Sequence, residues 1–177
     1  MNPVSRYHPA LVVLHWLIAV MVLGMLYVGL VVFDGIDDAD PRKLDIILLH
    51  MVGGMTILAL MAARLVVRWR TDKPLPAPSG NAFLDRLAPL THYALYVVVL
   101  LTIACGFATA LLAGLYRIVV QRSGEPLPDL DNYPTFVAHG YLAYVLLGLI
   151  GLHLAGALYH KFILKDDLLR RMGFGRR

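Results

Sequence analysis

The chain has 177 residues, 59% of them hydrophobic and only 16% charged, with a formal charge of +4. Soluble domains carry about 45–50% apolar and about 25% charged residues, so a chain of roughly one domain's length has more apolar surface here than its own core can hide, and a water-soluble monomer is excluded. A single cysteine, Cys105, excludes an intrachain disulfide, a C-x-x-C redox pair and a C-x-x-C-H haem attachment. The positive charge does not imply a nucleic-acid partner, because binding of that kind needs basic residues gathered on a wettable face.

Crossing about 30 Å of hydrocarbon takes about 20 helical residues. Four runs meet that length, at about 10–33, 44–67, 88–113 and 134–161. The first follows Arg6 alone, is too long for a signal-peptide core and lacks an A-x-A cleavage site, so it reads as a retained helix. Between the runs lie FDGIDDADPRK, RWRTDKPLPAPSGNAFLDR and LYRIVVQRSGEPLPDLDNY, each with the Pro, Gly, Asp and Asn that end helices. The fold class expected is all-α: an integral membrane four-helix bundle, one domain over residues 1–177, in contact with lipid.

Basic loops stay in the cytoplasm. Arg6, Arg64, Arg68, Arg70, Lys73, Arg86, Lys161, Lys165, Arg170, Arg171, Arg176 and Arg177 fall on one side, against Arg42, Lys43, Arg117 and Arg122 on the other. This puts both termini in the cytoplasm. The acids Asp34, Asp37, Asp38, Asp40, Asp45, Glu125, Asp129 and Asp131 lie on the opposite, outer side. With four bases to eight acids, the outer face is not expected to be positive overall.

Ionisable groups inside a bilayer are costly and mark function, so the histidines carry the most information. In the fourth run His139 and His153 are fourteen residues apart, nearly four whole turns, and share a face at an axial separation of about 21 Å. His160 repeats that face about 10 Å further on. His50, near the outer end of the second run, matches the depth of His139; His15, near the inner end of the first, matches His153. Two imidazoles from different helices fill both axial positions of a haem iron and make an electron-transfer centre. The pattern therefore predicts two haem b groups in the bundle core, with iron ligands His50 and His139 outside and His15 and His153 inside. Gly53, Gly54, Gly140 and Gly156 lie near these ligands, either to admit a flat macrocycle or to let helices pack closely. Arg64, about one turn from the inner end of its run, either pairs with a haem propionate or snorkels to the surface. No residue is singled out as catalytic.

The strings LHWLIAVMVLG around His15, LLHMVGGMTILALMAARLVVRWR after His50, LTHYALYVVVLLTIACG around His92 and AHGYLAYVLLGLIGLHLAGALYHKFILKDDLLRRM at the end closely resemble the bacterial cytochrome b561 family, whose characterised type is superoxide oxidase. The resemblance covers essentially the whole chain. It implies a dihaem four-helix cytochrome b in the bacterial inner membrane, an oxidoreductase that oxidises superoxide at the periplasmic face and passes electrons inward to ubiquinone and the quinone pool. It implies the same four haem ligands, and quinone-site roles for His92 and His160 at the cytoplasmic end. Imidazoles there suit a quinone, which needs hydrogen bonds and protons near neutral pH; interfacial histidines bonded to water or headgroups are the plainer alternative. Two other classes stay open. One is a cytochrome b subunit relaying electrons between a periplasmic redox partner and the quinone pool, with 114–133 as its docking loop. The other is a haem-free bundle.

Overall fold

A computed structural model describes residues 6–33, 35–37 and 40–173; Asp34, Asp38, Arg176 and Arg177, counted above for orientation, lie outside them. Among the described residues four helices are long and apolar enough to cross a membrane: Pro9–Val32, Arg42–Arg70, Ala82–Leu112 and Pro134–Leu164.

Helix α1 (Pro9–Tyr27) opens with proline at its first position, where no donor is lost, and with His8 Nδ1 accepting from the Ala10 amide at 3.2 Å. It runs on into a widened π turn, Val28–Val32. Helix α2 (Arg42–Arg70) places Asp45 in its first turn and Arg68 and Arg70 in its last, complementing the helix dipole at both ends. At 29 residues, or about 44 Å, it outreaches the hydrocarbon.

Helix α3 (Ala82–Leu112) starts six residues before the expected run. The Asn81 side chain accepts from the Phe83 and Leu84 amides, and the Asp85 carboxylate accepts from the Ser79 amide at 2.7 Å. The two bonds to Asn81 satisfy free donors of the first turn, and the helix carries Pro89 inside it. Helix α4 (Pro134–Tyr159) again starts on proline and ends in a π turn, His160–Leu164, after which Lys165 at φ 55° reverses the chain.

Helix α1 packs chiefly on α2, and α3 on α4. All four contribute to a central apolar layer of Val22, Leu26, Ile57, Met61, Val99, Ala143 and Leu146. A second layer closes the outer end: Ile47 and Ala110 meet Leu115, Ile118, Val119 and Leu130. The segment 114–133, expected as a loop, therefore contributes buried side chains through the π turn Tyr116–Val120 and the short 3-10 turn Leu130–Asn132. Outward-facing side chains stay apolar; Val20, Leu111, Phe162 and Ile163 are each about two-thirds exposed. Lipid is the solvent that suits such a surface. Inside it, hydroxyls donate to carbonyls one turn back, Thr102 to Val98 and Thr109 to Cys105, and the Thr135 hydroxyl, 2.8 Å from Thr109 Oγ1, joins α3 to α4.

The first and last described segments meet at one end of the bundle, the end expected to be the inner one. The Tyr7 amide donates to the Arg171 carbonyl at 3.2 Å, Trp16 Nε1 donates to the Met172 carbonyl at 2.9 Å, and the Arg171 guanidinium donates to the Leu75 carbonyl. The last segment thus ties α1 to the α2–α3 connector.

Candidate redox site

The four candidate ligand histidines meet in the expected pairs. His50 and His139 have ring centroids 5.8 Å apart with planes at 70°; His15 and His153 lie 6.2 Å apart at 75°. The central apolar layer stands between the two levels, because along α4 the order is His139, Ala143, Leu146, His153 and along α2 it is His50, Ile57, Met61, Arg64. Along α4 the levels are about 21 Å apart.

An iron held between two imidazoles has each nitrogen at about 2 Å, so the two ring centres stand about 6 Å apart. Both pairs have that spacing. At the outer pair His139 Nδ1 donates to the Thr102 carbonyl at 2.8 Å, which fixes the tautomer and leaves Nε2 as the free lone pair, the usual outer-sphere support of a metal-bound imidazole. Two glycines from other helices make room for these rings. A Cβ on Gly106 of α3 would stand 2.9 Å from His139 Nδ1, and one on Gly29 would stand 3.3 Å from His50 Cε1. Of the glycines singled out in the sequence, Gly54, Gly140 and Gly156 have no protein group within 4 Å of where a Cβ would stand, and a Cβ on Gly53 would meet the Met25 side chain. Which glycine faces an imidazole depends on the rotation of neighbouring helices, which one helix's spacing does not encode.

The inner level is richer. His92 of α3 brings its ring to 5.0 Å from His153 and donates through Nδ1 to the Ala88 carbonyl at 2.7 Å; Trp16 lies against His15 at 5.3 Å. Arg64 is within electrostatic range of His15, His92 and His153. Its guanidinium carbon stands 5.4 Å over the Tyr96 ring, with Nε buried and without a hydrogen-bond partner. An anion beside Nε would satisfy it. The Tyr96 hydroxyl is likewise buried and unpartnered. These orphaned donors fit the carboxylate of a propionate.

His160 has different surroundings from His92. Its Nδ1 is 2.6 Å from Asp166 Oδ2, its side chain is 12% exposed, and its ring lies against Tyr159. Asp166 belongs to the Lys-Asp-Asp of the closing segment that resembles the family, but its contact with His160 is not readable from spacing.

The outer basic residues are all engaged. Arg42 pairs with Asp40 at 2.6 Å, Arg117 with Glu125 at 2.6 Å, and Arg122 with Asp45. Lys43 is buried, its Nζ donating to the Ile36 carbonyl and lying 4.4 Å from the Phe33 ring centre. The Arg42 guanidinium holds the Asp40 carboxyl down at about 2.

A bundle of four membrane-crossing helices with imidazoles paired across its core is the architecture of a membrane cytochrome b. The chain belongs to the prokaryotic cytochrome b561 family, whose description matches residues 6–175. It is 29% identical over 180 residues to cytochrome b561 homolog 2 of Escherichia coli K12, covering 97% of this chain and 93% of that one. It is 28% identical over 130 residues to the probable superoxide oxidase CybB of Yersinia pestis, covering 71% and 73% respectively. The chain is a multi-pass membrane protein of a haem b family that transfers electrons.

Proposed function

We propose that this chain, as one transmembrane unit in the bacterial inner membrane with both termini in the cytoplasm, holds two b haems, oxidises superoxide at the periplasmic face and reduces ubiquinone near the cytoplasmic face. The observation that carries the reading is the pair of imidazole couples, each about one haem iron wide and separated by the central apolar layer. His50 and His139 would hold one haem, His15 and His153 the other. Bound haem supplies reversible one-electron chemistry. The protein's share is to orient and insulate. The Thr102 carbonyl holds His139 in one tautomer, Arg64 offers a guanidinium to an inner propionate, and the outer apolar layer limits water around His50 and His139. At the inner end His160 and His92 are the groups able to bond a quinone oxygen and hold a proton. The name of the Yersinia pestis relative supports the choice of superoxide.

Haem per polypeptide, from a pyridine haemochrome spectrum of detergent-purified protein, tests the ligand scheme. Two b haems per chain are expected, and one or none overturns it. Superoxide-dependent reduction of a short-chain ubiquinone tests the reaction, and absence of quinol overturns that part alone.

The pairing of Arg42, Arg117 and Arg122 with acids favours a second reading of the outer face. A positive funnel steers an anion, whereas a surface of mutually neutralised charges suits a periplasmic redox partner that hands over electrons. Copurification of a redox protein, with no superoxide-dependent quinol, would select it.

A further inference from the structure

The inner end carries a carboxylate–imidazole couple built by the last segment of the chain. The π turn His160–Leu164 widens the helix at His160, a local feature common at functional sites. Lys165 then takes the left-handed conformation, φ 55°, which a non-glycine residue rarely adopts. The reversal brings Asp166 back under His160. There the carboxylate is held twice, with Oδ2 on His160 Nδ1 at 2.6 Å and Oδ1 accepting from the Leu168 amide at 2.9 Å. Beyond it, Arg171 and Met172 are fastened to Leu75 and Trp16. Asp166 is 34% exposed at its side chain and His160 12%, so the couple runs from water inward.

From this geometry we infer that Asp166 is a positioning residue, holding His160 in the Nδ1–H tautomer so that Nε2 loads protons onto the quinone reduced at the inner end; the inference rests on the quinone role proposed for His160. The bond to His160 keeps the Asp166 carboxyl below its ordinary value. An ionised carboxylate only accepts, so Nδ1 donates. Charges facing the couple are Arg171, acting on Asp166, and Asp85 of α3, within electrostatic range of His160; Lys161 and Lys165 flank it in sequence.

Reduction of a quinone to quinol takes two electrons and two protons. The electrons come from the donor oxidised at the outer face; with superoxide, two anions leave as two dioxygen molecules. His160 Nε2 takes a proton from cytoplasmic water. That N–H bond then breaks as an O–H bond forms on the reduced quinone oxygen, and the ring returns to its neutral Nδ1–H form. A second cycle completes the quinol.

The test uses full-length, haem-loaded protein, reduced with dithionite and mixed with a short-chain ubiquinone, so that it does not depend on the outer donor. Asp166→Asn is expected to slow haem reoxidation about tenfold at pH 7, with haem content retained; Asp166→Glu restores most of the rate. A rate within twofold of wild type in Asp166→Asn overturns the inference. If His160→Ala also reoxidises at the wild-type rate, the quinone role falls with it; a slow His160→Ala beside a normal Asp166→Asn sinks the inference alone. Should Asp166→Asn fail to take up haem, infrared spectra of wild-type protein with labelled histidine decide. A band lost in His160→Gln must report a ring protonated on Nδ1 at pH 7, and one protonated on Nε2 alone overturns the inference.

Discussion

The outer and inner imidazole levels are built on one plan and finished differently. At the outer level two rings meet, one fixed by a backbone carbonyl and both given room by glycines, under an apolar lid from 114–133. At the inner level a third imidazole, an arginine with an unsatisfied nitrogen and a tail-borne carboxylate gather around or below the pair. The outer level is equipped to hold a group in place. The inner one can also exchange charge with its surroundings. A transmembrane electron path needs that asymmetry if protons are to be taken up at one end only.

The largest expected effect comes from removing a ring. His139→Leu and His153→Leu should each lose about half of the haem, measured as pyridine haemochrome per chain, and retention of both haems in either variant would break the pairing. Filling the outer pocket comes next. Gly106→Val should deplete the outer haem nearly as far as His139→Leu, because its Cβ would meet His139 Nδ1 at 2.9 Å.

Smaller and confined to the inner level is Arg64→Met. Loss of a group that supports a metal site indirectly costs about 10–100-fold in affinity, so haem titration should weaken at one site and spare the other. Acid should also separate the two ends. The Asp166 carboxyl lies below its ordinary 3.8 because of its bond to His160, so its contribution is complete above that value and is lost as pH falls through the lower folded value. Hydrogen exchange at the Leu168 amide, which donates to Asp166, should accelerate in that window while His139 keeps its bond to Thr102. The smallest effect is expected outside. Arg117→Gln with Arg122→Gln breaks pairs already neutralised by Glu125 and Asp45, so superoxide-dependent turnover should change less than twofold. A larger loss with steep salt dependence would restore the idea of a positive funnel.

The spans were legible because a bilayer tolerates only long apolar helices, and the histidine levels because helical rise turns spacing into depth. What escaped depended on detail between elements. The start of α3 was hidden in a Pro- and Gly-rich connector, and only the bonds of Asn81 and Asp85 reveal it. Gly29 and Gly106 touch imidazoles of other helices, a relation set by helix rotation. Asp166 reaches His160 through a left-handed lysine, and a lysine in that conformation has no sequence signature.

Each imidazole couple takes one member from α4, the last helix made, and its other member from α1 or α2. During synthesis the chain therefore carries only half-sites until α4 is threaded beside its predecessors, and both levels become complete in the same event. Assembly of the two is coupled in time although the central apolar layer separates them in space, so a chain truncated before α4 has neither couple, and one that inserts α4 in the wrong register forfeits both together.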